Sequence, residues 1–148
     1  VSGFRLARGG EAIDRESPIE FVFDRRRLAG FRGDTLASAL IANGVAVVAR
    51  SFKLHRPRGI VAAGIEEPNA IVQLLAPFEA PNILATALPL ADGLIAASVK
   101  GWPSVRWDVG TLADALRALL PAGFYYKTFK GPLGAWRWYE PWIRRAAG

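Results

Sequence analysis

The 148 residues include no cysteine, so no iron–sulfur cluster can be held here through thiolates, and the chain suits a reducing compartment without requiring one. No stretch approaches the ~20 consecutive apolar residues that a membrane-spanning helix needs. The start has no basic segment running into an apolar one, so it does not read as a signal peptide. Neither GxGxxG nor GxxxxGK followed by Ser or Thr occurs, which removes the two common phosphate-cradling turns; Gly59 and Gly64 are then glycines that a loop backbone demands. There is one histidine, His55, and no nucleophile stands at a diagnostic spacing from it. No catalytic residue is therefore assigned.

Half of the chain is apolar and 22% is charged, which fits a chain that buries a core, either as one domain or as one domain with a docking tail. The net charge is +6. Its basic groups, Arg25–Arg27, then Arg50, Lys53, Arg56 and Arg58, then Arg144 and Arg145, are scattered, and no helix-turn-helix, zinc-finger or RNP pattern accompanies them. A nucleic-acid-binding domain remains as the weaker alternative, and it predicts an affinity that falls steeply with salt.

Ile19, Phe21 and Phe23 alternate with Glu20, Val22 and Asp24, the period of a half-buried strand. A turn over Asp24–Arg27 leads to a second strand near Leu28–Phe31, and Arg25, where a tight hairpin favours glycine, argues for a looser or bulged turn. Asp34 is placed as an N-cap before the apolar stripe Leu36, Ala37, Leu40 and Ile41, and Asn43-Gly44 supplies the stop. A strand over Ala46–Ser51 follows. Two more are expected at Ala70–Leu75 and Ile83–Leu88, separated by the Pro77–Asn82 loop. Thr111–Leu120 has helical periodicity ended by Pro121. Eight of the sixteen aromatic residues then crowd into Phe124–Trp142, interrupted by Gly131, Pro132, Gly134 and Pro141, before a short helix at Trp142–Ala147.

The most informative stretch is RSFKLHRPRGIVAAGIEEPNA, Arg50 to Ala70. Plant-type 2Fe-2S loops carry CxxxxCxxC with a fourth cysteine further on. Ala62, Glu67 and Ala70 stand at that spacing, and the basic Pro-Arg-Gly turn before them puts the fourth position near Thr86. Glu67 has a structural role in this register, accepting backbone N–H groups or meeting an arginine such as Arg58 in the space of a cluster. A Glu66–Glu67 metal site is disfavoured, because neighbouring glutamates in a turn rarely converge.

The strings GDTLASALIANGV (Gly33–Val45), RSFKLHRPRGI (Arg50–Ile60), GIEEPNAIV (Gly64–Val72), DGLIAASVKGWPS (Asp92–Ser104) and AGFYYKTF (Ala122–Phe129) together resemble the N-terminal region of the alpha subunit of heterotetrameric sarcosine oxidase. The resemblance runs from about Arg5 to Gly148. It implies an α+β, β-grasp ferredoxin-like domain lacking its cluster over residues 1–104. An aromatic docking segment over 105–148 then leads toward a dinucleotide-binding domain; the chain opens at Val1 and stops at Arg-Arg-Ala-Ala-Gly, as a piece of a longer polypeptide would. The cytoplasm is the compartment expected of a cysteine-free chain; by the same resemblance the parent is a flavin-dependent oxidase with beta, gamma and delta subunits, using FMN, FAD, NAD and tetrahydrofolate, none of them bound by this segment alone. Arg50, Lys53, His55, Arg56 and Arg58 would form a cationic rim toward an anionic cofactor or a partner subunit, although a lone loop histidine is ordinarily just solvated. Phe124, Tyr125, Lys127, Trp136, Trp138 and Trp142 would dock on the next domain or another subunit, leaving the isolated chain with an exposed apolar patch. Cluster-bearing relatives, such as the small subunits of amino-acid and opine dehydrogenases, supply a second alternative, an electron-transfer subunit, which the missing cysteines oppose.

Overall fold

The computed structural model describes residues 4–52, 54–112, 140–142, 144 and 145. Strands β1 (Asp14–Phe23) and β2 (Arg26–Arg32) form an antiparallel hairpin, followed by α1 (Leu36–Ala42) and β3 (Val47–Arg50). Strands β4 (Pro57–Gly59), β5 (Ile71–Ala76), β6 (Ala80–Leu84) and β7 (Ile95–Ala97) complete the order. The main sheet runs β2-β1-β7-β5-β6, and β3 pairs with β4 in a separate two-stranded ribbon. Strands β1 and β7 are parallel, while the other pairs of the main sheet are antiparallel. This is the α+β, ferredoxin-like arrangement expected from the sequence.

The period-two reading of β1 follows from burial: Phe21 and Phe23 are enclosed, and Ile19 packs against the same core. They meet Val72 and Leu74 of β5, Ala96 of β7, and Leu36, Ala37 and Leu40 of α1. Each fully buried large side chain contributes roughly 1.5–3 kcal/mol relative to exposure. These few contacts hold a seven-residue helix that would be too short to persist alone.

The helix start differs from expectation by one residue. Thr35 is the N-cap, in a capping box with Ser38, and Asp34 is buried just before it. Asp34 accepts from both Arg5 terminal nitrogens, from the Ser38 hydroxyl and from the Phe31 N–H. A carboxylate this enclosed needs such partners, whereas an N-cap threonine needs one. The Leu36 and Ala37 N–H groups donate to the carbonyls of Leu88 and Ala85, which ties the helix start to the chain just beyond β6. At the other end Asn43 is the C-cap and Gly44 follows with φ 75°, as the Asn-Gly step predicts.

The hairpin turn corrects a second expectation. Phe23 pairs directly with Arg26, so Asp24 and Arg25 form a tight two-residue turn with φ 49° and 64°. The left-handed cost of Arg25 is offset from outside the hairpin: Asp24 accepts from the Ser98 N–H and hydroxyl, and its own N–H reaches the Ala96 carbonyl. Two more differences are of the same kind. Pro57–Gly59 is a strand against β3 rather than a turn, and β6 begins at Ala80, with Pro81 and Asn82 inside it and Asn82 at φ 56°. That left-handed residue and the proline blunt the outer edge of β6. The opposite edge is also covered, since Asn43 donates to the Ala29 carbonyl and Asp34 exchanges hydrogen bonds with the Phe31 backbone.

Of the C-terminal expectations, residues 113–120 of the helix lie outside the described residues, as do Phe124, Tyr125, Lys127, Trp136 and Trp138. Residues 140–142, 144 and 145 are helical, with an Arg144–Glu140 ion pair, and Trp142 is exposed. No helix among the described residues is long and apolar enough to cross a membrane.

Candidate functional site: a carboxylate at the centre of a cluster-type loop

After β4 the chain turns through Gly64 (φ 77°) into a short 3-10 turn, Gly64–Glu66, and reaches Glu67, which is only 4% exposed. One carboxylate oxygen of Glu67 accepts the N–H groups of Val61 and Ala62 at 2.7 and 2.5 Å. The other accepts those of Asn69 and Ala70 at 2.7 and 3.2 Å. Thr86 is buried alongside, donating its hydroxyl to the Gly64 carbonyl at 2.6 Å, while the Ala85 N–H closes on the Ala70 carbonyl. The four positions at ligand spacing, Ala62, Glu67, Ala70 and Thr86, are thus gathered on one loop and the segment beside it.

The chemistry of this donor set does not fit a cluster. Ala62 and Ala70 offer no ligand atom, the Thr86 hydroxyl is spent on a carbonyl, and both Glu67 oxygens are occupied by amides. What the loop supplies is a ring of N–H dipoles aimed at negative charge, which suits a thiolate-ligated cluster and a carboxylate alike. Burial pushes the Glu67 carboxyl upward, but the amides of Ala62, Asn69, Val61 and Ala70 outweigh it and hold the pKa below its ordinary 4.5.

The basic rim divides. Arg50 turns inward, donating through Nε and Nη2 to the Val105 carbonyl at 2.8 and 2.6 Å and through Nη1 to the His55 carbonyl at 2.9 Å. His55 is not a solvated loop residue: its Nδ1 lies 2.7 Å from Asp108 Oδ2. An ionised carboxylate only accepts, so the ring nitrogen donates. Asp108 is buried and also accepts from the Trp102 and Gly110 N–H groups, with Arg50 Nε 3.9 Å away. Arg56 and Arg58 are exposed, and Arg58 reaches Asn69 Oδ1 rather than Glu67. Lys53 lies outside the described residues.

Sequence reasoning missed Asp108, whose partner is 53 residues away. The Asp-Val-Gly-Thr order does mark a cap for a short turn, but nothing local links it to His55. The His55–Asp108 bond joins two loops 53 residues apart and so clamps one on the other.

Three carboxyls share one pattern. Burial raises the pKa of Asp34 and of Asp108, and is outweighed by Arg5, Ser38 and the Phe31 amide in the first and by the Trp102 amide, His55 and the Gly110 amide in the second. Both end below the ordinary 3.8, as Glu67 ends below 4.5. As pH falls, the unfolded chain takes up these protons first, so stability is complete above about pH 5 and drains away through and below the ordinary carboxylate range. Chemical denaturation at stepped pH is expected to show the midpoint falling over that window, with Glu67→Gln flattening part of the slope.

An α+β ferredoxin-like domain whose cluster loop closes on a carboxylate defines the class: a ferredoxin module without thiolate ligands. Residues 16–101 match the family described as the 2Fe-2S iron-sulfur cluster binding domain, and the chain belongs to that family. Over its whole length it is 52% identical to the sarcosine oxidase subunit alpha of Rhizobium meliloti (strain 1021), aligned over 150 positions and 15% of that protein. It is 41% identical over 96 residues, 62% of the chain and 10% of the relative, to the sarcosine oxidase subunit alpha of Corynebacterium sp. (strain U-96). The chain therefore spans about a seventh or less of the curated relatives it matches. The resemblance carried by the sequence strings is borne out. Among solved structures, L-proline dehydrogenase from P. horikoshii aligns with a TM-score of 0.45 at 19% identity, over 57% of this chain and 16% of that one.

Proposed function

We propose that this chain is the non-catalytic β-grasp scaffold and interface module of a sarcosine oxidase alpha subunit. The observation that carries the non-redox reading is Glu67, whose carboxylate takes the amides that surround a cluster-type loop. The 52% identity over the whole chain supports the parent protein. In that complex, sarcosine, water and oxygen become glycine, formaldehyde and hydrogen peroxide, or the one-carbon unit passes to tetrahydrofolate as the methylene derivative. The oxidation belongs to flavin held elsewhere, with FAD, FMN, NAD and folate in other domains and subunits. In this reading residues 1–104 are the ferredoxin-like body and 105–148 the docking segment, fastened to the body at its start through Val105 and Asp108 and facing the downstream dinucleotide-binding domain and the beta, gamma and delta subunits in the cytoplasm. Arg56 and Arg58, exposed beside the loop, face an anionic cofactor or a partner subunit.

The test is co-isolation. An antibody to this chain should recover a yellow complex of several subunits, one of them much larger than 16.0 kDa and containing this sequence, with sarcosine-dependent peroxide production. A colourless, free-standing chain would refute the reading. Charge reversal of Arg56 and Arg58 together should lower flavin content or subunit recovery, and unchanged values of both would remove the rim from the account.

A further inference from the structure

The inner face of the hairpin turn, the α1–β3 connection, Pro57 and the bend at 104–107 enclose an open groove of about 790 Å³, whose lining includes none of Ala62, Glu67, Ala70 and Thr86. Its base is apolar, with Phe23, Val45 and Val47, and three arginines line it, Arg26, Arg50 and Arg106. Arg50 is fixed by the Val105 and His55 carbonyls. Arg26 and Arg106 are exposed, and no ion pair among the described residues involves either. The one carboxylate in the lining, Asp24, is held by Ser98. With Arg50 set 3.9 Å from Asp108, the three arginines still outnumber the one carboxylate of the lining, so among the described residues the groove keeps a net positive charge over an apolar base.

Its walls are set before any partner arrives. The Asp24–Ser98 bonds hold one side. On the other, the Ser104 N–H donates to the Trp107 carbonyl, the Trp107 N–H donates to the Ser104 hydroxyl, and Asp108 anchors the bend from beneath. Trp107 is nonetheless 73% exposed. A solvent-facing tryptophan on a hydrogen-bonded backbone bend, sharing a groove with Arg26 and Arg106, is the composition of an interface centre, and a backbone set beforehand removes part of the ordering cost of binding. The open trough and apolar base favour an extended chain over a small anion, which would need convergent polar groups, and over a nucleic acid, which would need a longer basic track.

We propose that this groove docks an acidic segment of a partner protein, its carboxylates met by Arg26 and Arg106 and an apolar side chain packed on Trp107 over Val45 and Val47. The proposal rests on the interface reading above but concerns a groove whose lining does not include Arg56 or Arg58, although Pro57 between them belongs to it.

The experiment titrates the full chain with a fluorescein-labelled peptide of alternating glutamates and leucines, read by anisotropy, with a 12-base-pair DNA duplex and AMP as competing probes. Saturable peptide binding is expected. Arg26→Glu and Arg106→Glu should each weaken it by about tenfold, and Trp107→Ala by a comparable factor. Arg8→Glu and Arg32→Glu, exposed arginines outside the lining, should change it less than about twofold. Circular dichroism of each variant confirms folding. Absent binding, equal weakening by all four arginine reversals, or tighter duplex or AMP binding through the same residues would overturn the proposal. Because the titration uses the purified chain, its failure is distinguishable from failure to co-isolate with an oxidase.

Discussion

Replacing Glu67 with alanine is expected to lower the unfolding free energy by about 3 kcal/mol, one of the two largest effects of a single substitution outside the apolar core. Four N–H donors, those of Val61, Ala62, Asn69 and Ala70, lose their acceptor together. Each buried donor left unpaired costs ~1–3 kcal/mol, but the loop can admit water and recover part of the sum. Glu67→Gln separates charge from shape. It keeps one oxygen and turns an amide NH₂ toward two of the donors, so it should cost somewhat less than alanine while removing the Glu67 share of the acid sensitivity. Urea denaturation followed by circular dichroism reads both. If Glu67→Ala unfolds at the same midpoint as the parent, the carboxylate is not what holds the loop closed.

Asp108→Ala should release the segment from Gly101 to Thr111 without unfolding the sheet. Asp108 is the common acceptor for the Trp102 and Gly110 amides and for His55, and its charge lies 3.9 Å from Arg50. Gly110 is packed so closely on the His55 ring that a Cβ there would lie 2.2 Å from Nδ1, so the two loops are fitted as well as bonded. Removing a buried carboxylate from such a network costs about 2–3 kcal/mol locally, which corresponds to exchange of the Trp102 and Val109 amides faster by roughly 30- to 150-fold. Exchange in β1 and β5 should change little, because their bonds belong to the sheet. His55→Gln should give a smaller acceleration in the same amides. Unaltered protection at Trp102 and Val109 in Asp108→Ala would show that the bend is held by something else.

Where an element carries its own period or its own caps, the sequence was enough to find it. Strand β1 alternates, α1 has a stripe and an Asn-Gly stop, and β5 is an apolar run between turn residues. What escaped depends on pairing across the chain. Strand β7 is only Ile95–Ala97, with no alternation long enough to notice, yet it lies between β1 and β5 at the centre of the sheet. Strand β4 is Pro57–Gly59, a turn by composition and a strand only because β3 is there to pair with it. Arg25 was misleading for the same reason, since the tightness of its turn depends on Ser98. The site divides in the same way. Glu67 could be recognised as a backbone acceptor because the loop spacing surrounds it with amides, whereas the His55–Asp108 clamp joins two unremarkable loops 53 residues apart. The Ala85–Ala70 bond brings the chain just beyond β6 back to the loop, which is why Thr86 lies beside it.

The central claim is that the loop keeps the architecture of a cluster site with a carboxylate at its heart, and the direct test is to give the ligands back. A chain carrying Ala62→Cys, Glu67→Cys, Ala70→Cys and Thr86→Cys is reconstituted anaerobically with iron and sulfide and then desalted. The account predicts about two irons and two sulfides per chain, the visible absorption of a 2Fe-2S centre and a paramagnetic signal on reduction. A variant whose sheet is folded by circular dichroism but which retains no iron would contradict it, because the four positions would then not converge as a cluster requires.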